Sequence, residues 1–320
     1  MNDPVFDGLA QAARQGEPVA LGIICGVKGS SPQKLGAKAL FYPDGRIRGT
    51  LGGGCLEAEI QRRAIETLRT GQSARFDLVL DHDFGWDDGL ICGGKVEGVI
   101  LPNAQRAGEP FWTTLRERNR MLHWGVRPDF NLHIEVGDQD QKNASSDKAW
   151  LYEETVSPPS VLWIAGAGHI AQAVAPLAAQ LDFAVSVLDD RPALLNDQFF
   201  PPGVTLQADG WDNLLALTPP DRPSFGLIVT RGHRHDALVL RSWLRKPFVF
   251  LGMIGSSRKA RIIRDHFLAE KLATTADWER VACPVGLPIR SQSVMEIAVS
   301  IMAQFIQKRA ELAKASQSSQ

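Results

Sequence analysis

The sequence predicts an α/β protein in two parts: an N-terminal mixed α/β domain followed by a C-terminal domain built on a parallel sheet. Three observations carry this. At 320 residues the chain exceeds what one hydrophobic core usually supports. Residues 161–190 read as strand, glycine turn, helix, strand and terminal acids. A polar stretch, GDQDQKNASSDKAW at 137–150, with SPPS at 157–160, separates that region from a first half of different character. The expected division is therefore 1–136, a linker at 137–160, and 161–320.

The apolar fraction of 44% supplies both cores, and 35 Lys and Arg against 36 Asp and Glu leave no global field for nucleic acid or an anionic membrane. Cys25, Cys55, Cys92 and Cys283 show neither C-x-x-C pairs nor zinc spacing, which suits reduced thiols. The first residues lack an apolar signal core, and no run approaches the roughly 18 residues a membrane helix needs. A cytoplasmic protein is expected.

In the first half, VALGIICGV at 19–27 reads as a strand and ALFYPDGRIRGT as a hairpin turning at Pro43, Asp44 and Gly45. A helix is expected after Cys55. Leu56, Ile60, Ala64 and Leu68 recur every four residues and Gly71 ends it, so Gly52, Gly53, Gly54 and Cys55 stand where a helix entrance turns its N–H groups outward. This makes a candidate anion cradle containing a thiol. Cys92, with Gly93 and Gly94 ahead of the strand VEGVIL, could bring a second thiol to the same mouth. The competing reading is two small buried cysteines beside tight turns.

In the second half, the strand VLWIA leads through Gly166 and Gly168 into a helix with a stripe of Ile170, Val174, Leu177 and Leu181. FAVSVLDD then ends in acids about 20 residues past the glycines, where a dinucleotide fold places a ribose-binding carboxylate; Asp189 is the candidate. Together these features make a Rossmann-type unit whose crevice is either a dinucleotide site or an empty scaffold. Two further strands end in loops carrying Arg231, Gly232, His233 and His235, and Gly255, Ser256, Ser257, Arg258 and Lys259. Their hydroxyls and cations suit an anionic group, although Arg258 and Lys259 could equally be a solvated first turn. His169, His233 and His235 lack a carboxylate or cysteine to complete a metal set. The last helix, opened by Ser293 and Glu296, carries an apolar stripe of Val294, Ile297, Ala298, Ile301, Met302, Phe305 and Ile306, which packs on the sheet or on a second copy of the chain.

Taken in order, GSSPQKLGAKALFYPDGRIRGTLGGGCLEAEI, GLICGGKVEGVI, IAGAGHIAQAVAPLAA, VLDDRP, VTRGHRHD, LGMIGSSRKA and PVGLPI resemble the XdhC/CoxI family of molybdenum-enzyme accessory factors over nearly the whole chain. The resemblance implies a protein that binds molybdenum cofactor in its molybdopterin form and shields it while the terminal sulfido ligand is installed. It would then deliver the cofactor to an apo molybdenum hydroxylase of the xanthine dehydrogenase type, without turning over a substrate itself. Implied partners also include a cysteine desulfurase, cofactor-biosynthesis proteins and a second copy in a homodimer. Ser30, Ser31, Gly52, Gly53, Gly54, Cys55, Cys92, Gly93 and Gly94 fall in the family's N-terminal motifs; Gly166, Gly168, His169, Asp189 and Arg191 fall in its Rossmann motifs. Two departures stand out: Gln33 where relatives usually carry arginine, and Arg290 where a glycine often follows PVGL-x-I. The alternatives are an NAD(P)-dependent oxidoreductase, which lacks an evident acid and base beside a substrate pocket, and a nucleotide-sensing regulatory module.

Overall fold

The computed structural model describes residues 3–29, 34–80, 94–137, 149–217, 219 and 222–318. The chain forms two compact units, Asn2–Pro158 and Pro159–Gln320.

The N-terminal unit begins with α1 (Pro4–Gln15) and β1 (Ala20–Lys28), followed by the hairpin β2 (Lys38–Phe41) and β3 (Ile47–Gly49). Next come α2 (Gly54–Thr70), β4 (Ala74–Leu80), β5 (Gly94–Leu101) and α3 (Glu109–Glu117). One antiparallel sheet runs β3-β2-β1-β5-β4. Its centre, β1, is apolar without a break because both faces are covered. Leu21 and Ile23 join the core formed with α1 and α3, while Ala20 and Ile24 join Leu56, Ile60 and Ala64 of α2. Successive strand side chains point to opposite faces, so only a doubly covered strand reads as a continuous run.

A second sheet of this unit contradicts part of the expected linker. Tyr152–Val156 forms β8, which pairs with β6 (Leu122–Val126), and β7 (Leu132–Val136) flanks β6 on its other side. The sequence YEETV looks polar, but Tyr152 and Val156 are buried in the α1 core while Glu153 is exposed. The remaining stretch, 138–148, lies outside the described residues.

The C-terminal unit contains β9 (Ser160–Ala165), α4 (His169–Gln180), β10 (Phe183–Asp189), β11 (Thr205–Ala208), α5 (Trp211–Ala216), β12 (Ser224–Ile228) and α6 (His233–Trp243). It continues through β13 (Phe248–Met253), α7 (Ser257–Ala269), α8 (Thr275–Glu279), β14 (Val281–Ala282) and α9 (Val294–Ser318). The strands form a parallel sheet of order β11-β10-β9-β12-β13-β14, the doubly wound arrangement expected from the sequence. One face packs on α4 and α9, the other on α5, α6 and α7. Of the last helix's stripe, Ala298, Ile301, Met302 and Phe305 are buried, and the Phe305 ring meets Phe250 edge-on at 5.5 Å. Sheet packing thus accounts for these four residues. Val294 and Ile306 of the same stripe remain exposed.

Among the described residues, no helix is long and apolar enough to cross a membrane.

Candidate functional site

The strand order reverses between β9 and β12, and the crevice outside their carboxyl ends is where open parallel sheets bind ligands. The GAGH turn stands there. Gly166 has φ of +109°, and a Cβ on it would lie 2.4 Å from the Val229 carbonyl oxygen, so this glycine permits the loop after β12 to close against β9. Gly168 is different. It has an extended backbone, no atom within 4 Å of an added Cβ and no side-chain cap on α4, so the first-turn N–H groups take no acceptor from a capping side chain. His169 is the first residue of that helix and is exposed.

Asp189 does not reach outward as a ribose ligand would. It is buried, and its Oδ2 accepts the Ala167 N–H at 2.7 Å. Arg191 donates Nε to Oδ1 and a terminal nitrogen to Oδ2, both at 2.8 Å, while its backbone N–H adds a 2.9 Å bond. The carboxylate therefore braces the glycine turn from within. Burial pushes its pKa up, but the Arg191 guanidinium and the Ala167 N–H outweigh burial and hold it below the usual carboxylate range. Next to it, Asp190 accepts from Arg231 at 2.7 Å, joining the loops after β10 and β12, the strands on either side of β9. His233 begins α6 and is exposed, whereas the His235 ring lies 6.0 Å from that of Trp211. Among the described residues, no group of three or more His, Cys, Asp or Glu is arranged to hold a metal.

Sequence reasoning missed Asp236. This buried carboxylate accepts from Thr230 Oγ1 at 2.6 Å, from the Thr230 N–H at 3.1 Å and from Lys259 Nζ at 2.5 Å. Lys259 also donates to the Ile254 carbonyl at 2.9 Å, so it ties α6 to the loop after β13 and is not a free anion-binding cation. Ser256 is likewise engaged, accepting the Lys259 N–H as the N-cap of α7, while Ser257 is exposed. The available signal was the pairing of Thr230 and Asp236 across a strand-to-helix turn, where an acid in the first turn can bond back to the strand end.

In the N-terminal unit the GGGC turn enters α2 as expected, with Gly52, Gly53 and Gly54 at φ of +120°, +72° and +56°. Above Gly53 and Gly54 the space is open, and Cys55 in the first turn is half-buried. The cradle, however, holds an anion of its own. Glu57 Oε2 accepts from the Leu51 N–H at 2.9 Å, the Thr50 hydroxyl at 3.0 Å and the Gly53 N–H at 3.3 Å. A first-turn glutamate after a glycine-rich entrance was the sign of this.

Because α2 returns into β4 through a short turn, its entrance lies at the sheet edge where β4 ends at Leu80, β5 begins at Gly94 and β1 ends at Lys28. The segments bearing the other motif residues leave from that edge. Ser30, Ser31, Gln33, Cys92 and Gly93 themselves lie outside the described residues. On the opposite face, Lys38 of the GAK motif is buried, 2.6 Å from Glu154 Oε2 and 5.4–5.7 Å from the ring centroids of Phe6, Trp124 and Tyr152. Trp124 and Tyr152 donate to the same carboxylate oxygen. Arg290, in the loop before α9, has φ of +62°, a conformation glycine adopts freely.

Comparison with known proteins gives a consistent result. Residues 12–83 match the XdhC and CoxI family model, and residues 162–305 match that of the XdhC Rossmann domain. A Bacillus subtilis protein, named there as one of the probable subunits of xanthine dehydrogenase, is 26% identical over 93% of this chain and 95% of its own. The Escherichia coli molybdenum cofactor insertion chaperone PaoD is 24% identical over 92% of this chain and 84% of its own. A crystal structure described as a xanthine dehydrogenase from Bacillus halodurans superposes with a TM-score of 0.79 at 25% identity, covering 97% of this chain and 96% of that one.

Proposed function

The chain belongs to the XdhC and CoxI family, and from that premise we propose that it is an accessory factor that binds molybdenum cofactor, protects it during sulfuration and delivers it to an apo hydroxylase of the xanthine dehydrogenase type. The observation that carries this reading is the likeness to a molybdenum cofactor insertion chaperone along 92% of the chain, through both units. Homodimer formation and contact with a cysteine desulfurase belong to the same proposal.

The chemistry of the N-terminal edge suits such a cargo. The cofactor carries a dithiolene-bound metal on a pterin, and a half-buried thiol on an exposed helix entrance offers a soft group to it. Open space above Gly53 and Gly54 lets a flat ring approach the backbone. Glu57 already takes the Leu51 and Gly53 N–H groups, so these two are not open to the cargo's phosphate. Against the alternative of an NAD(P)-dependent oxidoreductase, the inward bonding of Asp189 removes its ribose acceptor.

The test is purification of the chain from cells that make the cofactor, followed by oxidation and measurement of pterin fluorescence. Wild type should carry pterin and Cys55→Ala should carry much less. A wild-type preparation without pterin, or one that transfers hydride from NAD(P)H, overturns the reading.

A further inference from the structure

The parallel sheet carries a second candidate site, away from the switch point. A cavity of about 530 Å³ is lined by Ser257, Arg261 and Arg264 of α7, Thr275 and Trp278 of α8, and Cys283 beyond β14. It borders β14, two strands past β12 at the outer edge of the sheet. Its size lies in the range of small-ligand sites, about 300–1,000 Å³.

The polar groups around it are mostly unmatched donors. Arg261 and Arg264 lie three residues apart on α7, both are exposed at the cavity's rim, and neither forms an ion pair among the described residues. Arg280 shows the contrast, because its guanidinium is consumed by the Leu244, Lys246 and Phe248 carbonyls. The indole N–H of Trp278 is buried without an acceptor. The Trp211 and Trp243 indoles share that property, so the preference of this cavity for an anion rests on its two guanidinium groups. Glu279 is the lining's one carboxylate; it is exposed and bridges neither arginine.

The wall is also held in place. Thr274 and Asp277 form a capping box at the start of α8, and Phe267 meets the Trp278 ring edge-on at 6.1 Å. Arginine pairs match phosphate oxygens in bidentate fashion, and an indole offers a flat surface to a planar ring.

We propose that this cavity binds a phosphorylated planar heterocycle, its phosphate between Arg261 and Arg264 and its ring toward Trp278. A nucleotide and a pterin phosphate share that chemistry. The proposal uses residues of the C-terminal unit alone and stands whether or not the cargo reading holds.

Calorimetric titration of the full chain tests it with AMP, GMP, CMP, neopterin monophosphate, guanosine, neopterin and inorganic phosphate. At least one phosphorylated heterocycle should bind roughly tenfold or more tightly than both its unphosphorylated form and inorganic phosphate. The tighter class identifies the source, nucleotide or pterin. Arg261→Ala with Arg264→Ala should lower that affinity roughly tenfold or more at unchanged melting temperature, and the paired lysine substitutions should restore part of it. Trp278→Leu should erase the preference over inorganic phosphate. Absence of binding, equal binding to inorganic phosphate, or a folded double-alanine variant that binds like wild type refutes the site. Pterin co-purification compared between Cys55→Ala and the double-alanine variant separates the two ideas, since loss with Cys55→Ala alone reports the cargo site and loss with the arginine pair alone reports this cavity.

Discussion

Asp189, the last residue of β10, accepts a 2.7 Å hydrogen bond from the backbone N–H of Ala167, the middle residue of the glycine turn after β9. This bond joins adjacent strands at their carboxyl ends, and Arg191 completes it by holding both carboxylate oxygens. The turn that sequence assigns to a ligand is thereby anchored by the protein's own anion.

Asp189→Asn keeps the shape but removes the charge. It should cost about 1.5–3 kcal/mol in urea unfolding, the range for hydrogen bonds to charged groups. The folded-state pKa of Asp189 lies below the ordinary value. Its contribution to stability is therefore fully present above the unfolded pKa of about 3.9 and is lost as pH falls through the lower folded value. The asparagine variant should show a smaller acid-dependent loss than wild type below about pH 4.

Two glycines of one turn should respond differently to alanine. At Gly166 the new Cβ would meet the Val229 carbonyl oxygen at 2.4 Å with φ at +109°, so the variant should lose about 3 kcal/mol or fail to fold. At Gly168 φ is −75° with no atom within 4 Å, and the change should stay under about 1 kcal/mol. Thermal melts of the pair decide this; equal losses contradict the described packing.

Glu57→Ala should expose the N–H groups of Leu51 and Gly53 and cost about 1–2 kcal/mol. Amide hydrogen exchange at those two positions should accelerate while exchange in β1 changes only by the global loss. Unchanged protection at Leu51 and Gly53 would rule out an internal anion at this helix entrance.

Lys38, buried inside an aromatic enclosure, pairs with Glu154, whose side chain is 34% exposed. Glu154→Leu alone leaves the buried ammonium without its carboxylate and should cost about 3–5 kcal/mol, while adding Lys38→Met should recover part of that loss. A double-mutant cycle by denaturant titration reads the coupling. Additive losses would show that the two residues act independently.

Arg290→Gly should raise stability by about 0.5–1 kcal/mol, because the arginine holds φ at +62° where glycine meets no Cβ penalty. The check is a rise in melting temperature. A fall would mean that the arginine side chain outweighs its backbone cost.

Periodicity made most elements legible: the four-residue recurrence of Leu56, Ile60 and Ala64, the apolar run of β9 and the stripe of Ala298, Ile301 and Phe305 all became buried faces. Such patterns are local, since a helix or strand repeats its own geometry within a few residues. The strand Tyr152–Val156 escaped because its two buried residues sit four apart around acids, and its pairing with β6 is set by residues about 30 positions away.

What the sequence alone determined is the doubly wound C-terminal fold, the glycine-rich entrances to α2 and α4 and the resemblance to one family, all properties of short motifs read in order. Only the tertiary structure decided where the charges go. Asp189 and Lys259 look free in sequence and are spent on internal partners, Ala167 and Asp236, each more than twenty residues distant. Burial makes an unpartnered charge costly, so the folded chain assigns each buried group to whatever donor or acceptor the packing brings near. That assignment separates the bracing residues from Arg261 and Arg264, which remain unpaired beside a cavity.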